Sequence, residues 1–197
     1  MRKAPGSEHG LEYALDNGAW TAYAGQPVAV GNGTHQLRYR ATDNAGNVET
    51  AKALTLNVAT CTTTVTGIHN GPLTANGVVC LTGATINGPI SVRDGAVLIA
   101  TGSSIRGPVF ASGALRVTLV DDNVHGPVSV SGTTGGVTII GTVVTGPVSL
   151  TDNNGTVVVS TNTINGPLFC TGNSPAPTDN GTANTVHGPA AGHCAGL

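Results

Sequence analysis

The chain has 197 residues, of which only 9% are charged and 3% are aromatic, and its formal net charge is −2. A nearly neutral surface rich in Thr, Ser, Asn and Gly argues against nucleic acids and anionic membranes as partners. No apolar run approaches the ~20 residues that cross a bilayer, so membrane insertion is not expected. The length suits one large domain or two small ones.

The N-terminal part of the chain predicts a small antiparallel sheet. Residues 1–10 have the composition of a linker or of expression-vector residues, and they lack the apolar core of a signal peptide. Residues 11–59 contain the tryptophan and all three tyrosines of the protein. The segment LEYALDNGAW predicts a β-hairpin with Asp16-Asn17-Gly18 at its turn. QLRYRATD and residues 54–58 predict two further strands.

Within this part, EYALDNGAWTAY, GTHQLRYRATDNAGN and VET…LTLNV resemble the second half of small immunoglobulin-like modules of bacterial secreted proteins. Such modules often accompany carbohydrate-active enzymes and surface proteins. The resemblance covers residues 11–58 and implies an incomplete Ig-like sheet, because nothing matches the opening strands of the family. Such a sheet stays incomplete, pairs with the rest of the chain, or exposes an edge that invites self-association.

Seven Gly-Pro pairs organise the remainder of the chain. They recur at intervals of 17, 19, 19, 20, 20 and 22 residues, from Gly71-Pro72 to Gly188-Pro189. Self-similarity at a period near 20 residues predicts a stacked repeat architecture. Proline suits the first residue of a strand, where a ladder hydrogen bond can be forgone, and glycine before it tolerates a sharp corner. A column of these pairs is expected to form one edge of the stack.

Residues counted from each pair fall into apolar columns. The positions two and four residues after the glycine alternate with polar residues, which predicts a strand with one buried face. Two further short apolar stretches precede the next pair, so each repeat predicts three strands. The expected fold class is all-β: a right-handed parallel β-helix over residues 60–197, with three strands and about 19–20 residues per coil and about six to seven coils. The first column contains Leu73, Ile90, Val109, Val128, Val148 and Leu168.

The four cysteines form two pairs, each about one coil apart. Cys61 and Cys80 are 19 residues apart, and Cys170 and Cys194 are 24 apart. Adjacent rungs at ~4.8 Å satisfy the Cα separation of a disulfide, so Cys61–Cys80 and Cys170–Cys194 are predicted to cap the two ends. Cys80 falls in an outward column, where a local irregularity is expected. Because no CxxC pair occurs, no metal site is predicted.

Disulfides indicate an oxidising compartment, so we expect a secreted protein. Its signal peptide is not in this chain, which suggests a fragment of a longer precursor.

Residues 61–197 also carry a resemblance. The CTTTVTG start, the repeated GPV-x-V strands and the GHCAGL ending resemble a C-terminal β-helical region of secreted actinobacterial proteins. The resemblance implies an accessory region that follows an Ig-like module, behind a catalytic or sugar-binding domain. The short coils are more distantly similar to bactofilins, which implies end-to-end self-assembly. The cysteines and the Ig-like neighbour disfavour that alternative.

The last repeat departs from the pattern. Between Gly166 and Gly188, the segment NSPAPTDNGTAN replaces the middle strand, with Pro175 and Pro177 where an inward apolar pair is expected. We expect this segment to fold over the C-terminal end of the solenoid and to cover the exposed strand edge.

One cluster of polar residues is a candidate for catalysis. Arg106 and His125 occupy one column on neighbouring coils, and Asp122 lies one corner away. Polysaccharide lyases on β-helices use a cationic base beside carboxylates, so these three residues form the candidate active site. The repeats contain no lysine and few carboxylates, and they offer no aromatic cleft. A solvated corner is therefore the favoured interpretation, and neither an enzymatic activity nor a cofactor is expected.

The outward residues of the strands that follow the Gly-Pro pairs form a flat, almost uncharged face. Regular hydroxyls and two phenylalanines suit contact with a polysaccharide or cell-surface glycan, because aromatic rings stack on sugars. Plain solvated strand surface is the alternative. The candidate binding residues are Phe110, Ser129, Ser131, Ser149, Thr151 and Phe169.

These observations predict a non-catalytic, secreted accessory or structural module, which acts as a rigid spacer or adhesive stalk with polysaccharide as its candidate partner. A self-assembling scaffold like bactofilin is the alternative function. A polysaccharide lyase or hydrolase is the third.

Overall fold

A computed structural model describes residues 10–30, 33–43 and 45–197. The regular elements of these residues are all strands, and the chain divides into two compact units, residues 1–60 and 61–197. The predicted all-β class is confirmed, with a parallel β-solenoid preceded by a small antiparallel sheet. The linker predicted over residues 1–10 lies outside the described residues, apart from Gly10.

The first unit is a four-stranded antiparallel sheet. Its strands are β1 (Gly10–Leu15), β2 (Thr21–Ala22), β3 (Gly33–Thr42) and β4 (Lys52–Val58), in the order β2-β1-β3-β4. The predicted hairpin joins β1 to β2. Asp16 and Asn17 have φ angles of 51° and 61°, and the Gly18 N–H donates to the Leu15 carbonyl at 2.8 Å. Two consecutive left-handed residues give the primed turn whose twist matches that of a hairpin, and Asp and Asn tolerate this conformation.

The second unit is a solenoid of three parallel sheets, which we number in the order in which a coil visits them after a Gly-Pro pair. Sheet 1 contains β7 (Leu73–Ala75), β10 (Ile90–Val92), β13 (Val109–Ser112), β16 (Val128–Ser131), β19 (Val148–Thr151), β22 (Leu168–Thr171) and β24 (Ala190–Gly192). Sheet 2 contains β5 (Thr63–Val65), β8 (Val78–Thr82), β11 (Val97–Thr101), β14 (Arg116–Val120), β17 (Val137–Ile140) and β20 (Val157–Ser160). Sheet 3 contains β6 (Ile68–Asn70), β9 (Thr85–Asn87), β12 (Ser104–Ile105), β15 (Asn123–Val124), β18 (Val143–Val144), β21 (Thr163–Ile164) and β23 (Thr185–Val186).

Each sheet contributes an inward apolar column, as the repeat predicts. In sheet 1, Val128 pairs with Val148 and Val148 pairs with Leu168, and all three side chains are fully buried. In sheet 2, Leu119 pairs with Ile139 in the same way. Because similar side chains lie over one another at the strand spacing of ~4.8 Å, the coils enclose one continuous aliphatic core.

The Gly-Pro corner is explained by close packing between coils rather than by a special backbone angle. Of its seven glycines, only Gly71 has a positive φ. A Cβ atom on Gly107 would lie 2.7 Å from the carbonyl carbon of Gly88 in the preceding coil. No side chain fits between stacked corners at that distance, so glycine is required for steric reasons. The proline that follows immediately precedes each strand of sheet 1, and the Pro108 carbonyl accepts a hydrogen bond from Ile90 N–H at 2.9 Å.

The other two corners carry polar ladders inside the solenoid. At each, a residue with a left-handed backbone precedes an inward-pointing side chain, as Gly141 (φ 60°) precedes Thr142 and Asp152 (φ 52°) precedes Asn153. The first ladder, between sheets 1 and 2, contains Thr133, Asn153 and Asn173. The second ladder, between sheets 2 and 3, contains Ser103, Asp122, Thr142, Asn162 and Asn184.

These ladders connect successive coils through side-chain oxygen atoms. The backbone N–H of Thr133 donates to Asn153 Oδ1 at 3.0 Å, and the Asn153 N–H donates in turn to Asn173 Oδ1 at 3.1 Å. Asn153 Nδ2 donates to the Val130 carbonyl at 3.1 Å. Buried backbone groups at the corners therefore keep their hydrogen bonds where no strand partner is present.

Both predicted disulfides are present. The Cα atoms of Cys61 and Cys80 lie 5.6 Å apart, and those of Cys170 and Cys194 lie 5.3 Å apart. Cys170 and Cys194 are fully buried at the end of the core. Cys80 lies in the outward column of sheet 2, as expected, but the expected irregularity does not occur, because Cys80 pairs in register with Ile99 of β11.

The irregular segment of the last repeat runs beside β20, the last strand of sheet 2. Ser174 and Thr178 form single parallel bridges with Asn154 and Val158. Pro177 is buried, whereas Pro175 is exposed. Of the two positions where the repeat places an inward apolar pair, one is therefore inward and the other is not. The segment covers the edge of sheet 2, and Leu197 packs against the end of the core.

Candidate functional site

The exposed face of sheet 1 brings together all six predicted binding residues. Period-two alternation places every second side chain of a strand outward, and the in-register pairing of strands stacks these side chains into columns. We call this surface the hydroxyl face. Its first column contains Thr74, Ser91, Phe110, Ser129, Ser149 and Phe169, and its second contains Ser112, Ser131, Thr151 and Thr171.

Two phenylalanine rings mark the first column of the hydroxyl face. Phe110 and Phe169 expose 46% and 42% of their surface, which is unusual for aromatic side chains with no polar group. They lie three rungs apart, at about 14 Å from the usual strand spacing. Ser129 and Ser149 occupy the two rungs between them and are half-buried. The part of the column from Phe110 to Phe169 therefore has an apolar platform at each end and hydroxyl groups between.

A shallow concavity lies beside the first of these rings. Its volume is about 540 Å³, and Phe110, Arg93 and Asp94 line it together with serines of both columns. Arg93 and Asp94 follow β10, and the exposed Asp152 follows β19 in the same column as Asp94, so the margin of the face carries one positive and two negative groups. Sequence reasoning missed Asp94, although the Arg93-Asp94 dipeptide is the only charged pair next to a strand of sheet 1.

The chemistry of this surface suits a neutral, hydroxyl-rich ligand. Serine and threonine hydroxyls both donate and accept hydrogen bonds, as sugar hydroxyls do. The apolar face of a sugar ring packs on an aromatic ring, and an aromatic side chain supplies a large contact area. At the concavity itself, the charges of Arg93 and Asp94 are of opposite sign and offset each other, which suits a neutral ligand.

The structure does not bring the three candidate catalytic residues together. Arg106 and His125 are exposed at the same corner on neighbouring coils, as predicted. Asp122 instead belongs to the second ladder and is only 2% exposed. Its carboxylate accepts hydrogen bonds from the N–H groups of Ser103 at 2.6 Å and Val120 at 3.1 Å. No ion pair joins the three residues in the described part of the chain, so the arrangement offers no acid–base pair on one surface.

Burial alters the ionisation of Asp122. Burial is the main cause, and it raises the pKa of the Asp122 carboxyl from 3.8 to about 6. The hydrogen bonds from the backbone of Ser103 and Val120 lower this pKa, and the neighbouring charge of Asp121 raises it further. The sequence could have signalled this position. In the second ladder, Ser103, Asp122, Thr142 and Asn162 recur at 19- or 20-residue intervals and all have side chains that accept hydrogen bonds.

Neither a metal cluster nor a membrane-spanning element occurs in the described ranges. No three His, Cys, Asp or Glu side chains in residues 10–30, 33–43 and 45–197 lie close enough to hold a metal ion. No helix in the same residues is long and apolar enough to cross a membrane. The two disulfides are compatible with an extracellular protein.

The comparisons with known proteins found no relative. No protein-family model, no curated protein and no solved structure matches this chain.

Proposed function

We propose that this chain is a non-catalytic accessory module of a secreted protein, in which the solenoid is a rigid spacer and the hydroxyl face contacts a neutral polysaccharide. One observation carries the proposal. Phe110, Ser129, Ser149 and Phe169 stand in one outward column, on successive rungs, and both rings are exposed. A linear glycan that lies along the solenoid axis would meet two stacking platforms with hydroxyl groups between them.

The spacer role is supported by features that resist bending and fraying. The aliphatic core continues from coil to coil, and the two ladders connect successive coils at two of the three corners. A disulfide joins neighbouring coils near each end. Terminal coils are where repeat proteins usually open, so a covalent link there stabilises the part that needs it most.

A secreted location agrees with the two disulfides, since such bonds persist in oxidising compartments. The alternative functions have less support from the described residues. Asp122 is buried whereas Arg106 and His125 are exposed, which weakens a lyase or hydrolase. Cys194 and Leu197 pack at the C-terminal end of the core, which leaves little apolar surface for bactofilin-like stacking at that end.

A binding screen tests the proposal. The wild-type chain and a Phe110→Ala/Phe169→Ala variant are incubated with insoluble neutral polysaccharides and with an array of neutral and acidic glycans. Val143→Ala, which removes an exposed apolar side chain from sheet 3, is the matched control. We expect wild type and the control to bind a neutral glycan and the double variant to lose at least about tenfold in affinity, because two stacked rings are removed. If no glycan binds the wild-type chain, the polysaccharide contact is refuted and only the spacer role remains.

A further inference from the structure

An aspartate precedes each phenylalanine of the hydroxyl face by one coil. We call the residue that lies four positions after the first residue of a sheet 1 strand the turn position. From β7 to β22, the turn positions are Gly77, Asp94, Gly113, Gly132, Asp152 and Gly172. In the coil after each aspartate, the first column of the hydroxyl face carries a phenylalanine. In the coil after each glycine, that column carries Ser91, Ser129, Ser149 or Ala191. Ring and carboxylate therefore occur together.

Each of these aspartate side chains lies on the coil that carries the ring. A Cβ atom on Gly113 would collide with Oδ1 of Asp94, and a Cβ atom on Gly172 would collide with Oδ1 of Asp152. The two glycines directly follow β13 and β22, the strands that contain the two phenylalanines. Glycine at these turns therefore admits a carboxylate beside each ring-bearing strand.

A hydroxyl group lies between the ring and the carboxylate in both coils. Ser112 follows Phe110 by two residues on the outward side of β13, and Thr171 follows Phe169 in the same way on β22. Each coil therefore presents a ring, a hydroxyl and a carboxylate in one row across the strand. In the first coil, this row lines the concavity of about 540 Å³, a volume in the range of about 300–1,000 Å³ that small-ligand sites have.

Both carboxylates are available to a ligand. Asp94 and Asp152 are exposed, and neither forms an ion pair within residues 10–30, 33–43 and 45–197. An ionised carboxylate only accepts hydrogen bonds, and its two oxygen atoms can accept from two neighbouring hydroxyl groups. Such charge-assisted hydrogen bonds are stronger than those between neutral groups. A sugar ring stacked on a phenylalanine has its hydroxyl groups at its edge, where a carboxylate at the end of the row can accept from them.

We propose that each ring and its carboxylate form one sugar-binding subsite, Phe110 with Asp94 and Phe169 with Asp152, so that the hydroxyl face binds a glycan at two equivalent points. The subsites rest on the proposed contact with polysaccharide and narrow its ligand to a neutral glycan whose pyranose rings carry adjacent free hydroxyl groups. Because the subsites lie three coils apart, at ~14 Å, the same sugar unit must recur along the ligand. Two carboxylates against the single cation of Arg93 disfavour an acidic glycan.

Affinity electrophoresis of the full chain tests the subsites. Native gels contain no ligand or one of three soluble neutral polysaccharides, a β-glucan, a galactomannan or a dextran, and mobility without ligand corrects for charge. We expect Asp94→Asn/Asp152→Asn to lose at least about tenfold in affinity for the polysaccharide that retards wild type. Asp121→Asn is the matched control and should bind like wild type. Asp121 is exposed and also lies against a glycine of the next coil, Gly141, but at a corner outside sheet 1.

A double-mutant cycle tests whether each ring acts with its own carboxylate. Phe110→Ala combined with Asp94→Asn removes one subsite, so the combined loss of affinity should be close to the larger of the two single losses. Phe110→Ala combined with Asp152→Asn damages both subsites, so the two losses should multiply.

The outcomes separate the subsites from the proposed function. An aspartate double variant that binds like wild type, while Phe110→Ala/Phe169→Ala loses affinity, would overturn the subsites and leave the polysaccharide contact intact. A loss of the same size in Asp121→Asn, or losses that multiply in both combinations, would also overturn them. A wild-type chain that none of the polysaccharides retards would refute the polysaccharide contact itself, and the subsites with it.

Discussion

The Asp122 carboxylate accepts a hydrogen bond from the backbone N–H of Ser103, one coil earlier, at 2.6 Å inside the solenoid. The other members of the second ladder are Ser103, Thr142, Asn162 and Asn184, so this carboxylate is the one ionisable group in a column of neutral acceptors. A neutral side chain satisfies the same backbone donor without a buried charge. The ladder therefore holds an acid at a position where neutrality is the favoured state.

This position predicts a pH-dependent stability. The folded pKa of Asp122 is about 6 and the ordinary value is 3.8, so the folded state binds the proton more tightly than the unfolded state. Its contribution is therefore fully present below pH ~4 and is lost as pH rises through ~6, by about 2–3 kcal/mol in total. Urea unfolding at mildly acidic and mildly alkaline pH measures this loss.

Asp122→Asn is expected to remove most of the difference in the free energy of unfolding between the two pH values. Asp152→Asn is the control, because its side chain is exposed and its left-handed backbone tolerates asparagine. The rest of the sequence is common to all three proteins, so its contribution cancels in the comparison. Equal pH dependence in wild type and Asp122→Asn would refute the assignment.

Substitution at the Gly-Pro corner is expected to be destabilising for steric reasons. In Gly107→Ala, the new methyl group would lie 2.7 Å from the carbonyl carbon of Gly88, and the coils must separate to admit it. We expect a loss of about 1–3 kcal/mol in the free energy of unfolding, as for other overpacked sites. Gly67→Ala is the control, since no heavy atom lies within 4 Å of its Cβ position. A loss of the same size at Gly67 would point to backbone entropy instead of packing.

Loss of a ladder amide is expected to cost more than loss of a neighbouring exposed amide. Asn153 accepts from the Thr133 N–H, and its Nδ2 donates to the Val130 carbonyl. Asn153→Ala leaves these buried groups without partners and should lower the free energy of unfolding by about 2–4 kcal/mol. Asn154→Ala, at an exposed position, should change it by less than about 0.5 kcal/mol. Chemical denaturation compares the two, and similar losses would contradict the ladder.

Removal of the C-terminal disulfide is expected to loosen the last coil selectively. Cys170 and Cys194 are 24 residues apart, and a closed loop of that length contributes about 3 kcal/mol. In Cys170→Ala/Cys194→Ala, amide exchange should accelerate in β22, β23 and β24 and remain unchanged in β13. Hydrogen-exchange mass spectrometry locates the effect, and uniform acceleration along the solenoid would show that the bond stabilises the whole fold.

The core and the disulfides could be predicted because both follow from one period. Once a coil has a fixed length, apolar side chains such as Val128 and Val148 must lie over each other, and cysteines one coil apart must be neighbours. The corner ladders do not follow from hydrophobicity. Aspartate side chains are almost always exposed to solvent, so the sequence does not suggest that Asp122 is buried. Only the left-handed backbone of Asp121 indicates that the side chain of Asp122 points inward.

The column of residues in the candidate site was predictable from the sequence, but the concavity beside it was not. Alternation along the strands places Phe110 and Phe169 outward, and the period places them in one column. The concavity at Arg93 and Asp94 depends on how the turn after β10 leaves the sheet, which no periodicity specifies.

The most direct test of the proposed function is calorimetric titration of the chain with oligosaccharides of increasing length, prepared from the neutral polysaccharide that is retained best in the binding screen. If Phe110 and Phe169 hold one glycan chain, affinity should rise with length until the ligand spans the ~14 Å between them and then level off. Either single phenylalanine-to-alanine variant should abolish that rise. Affinity that is independent of length, or no binding by any oligosaccharide, would contradict the account.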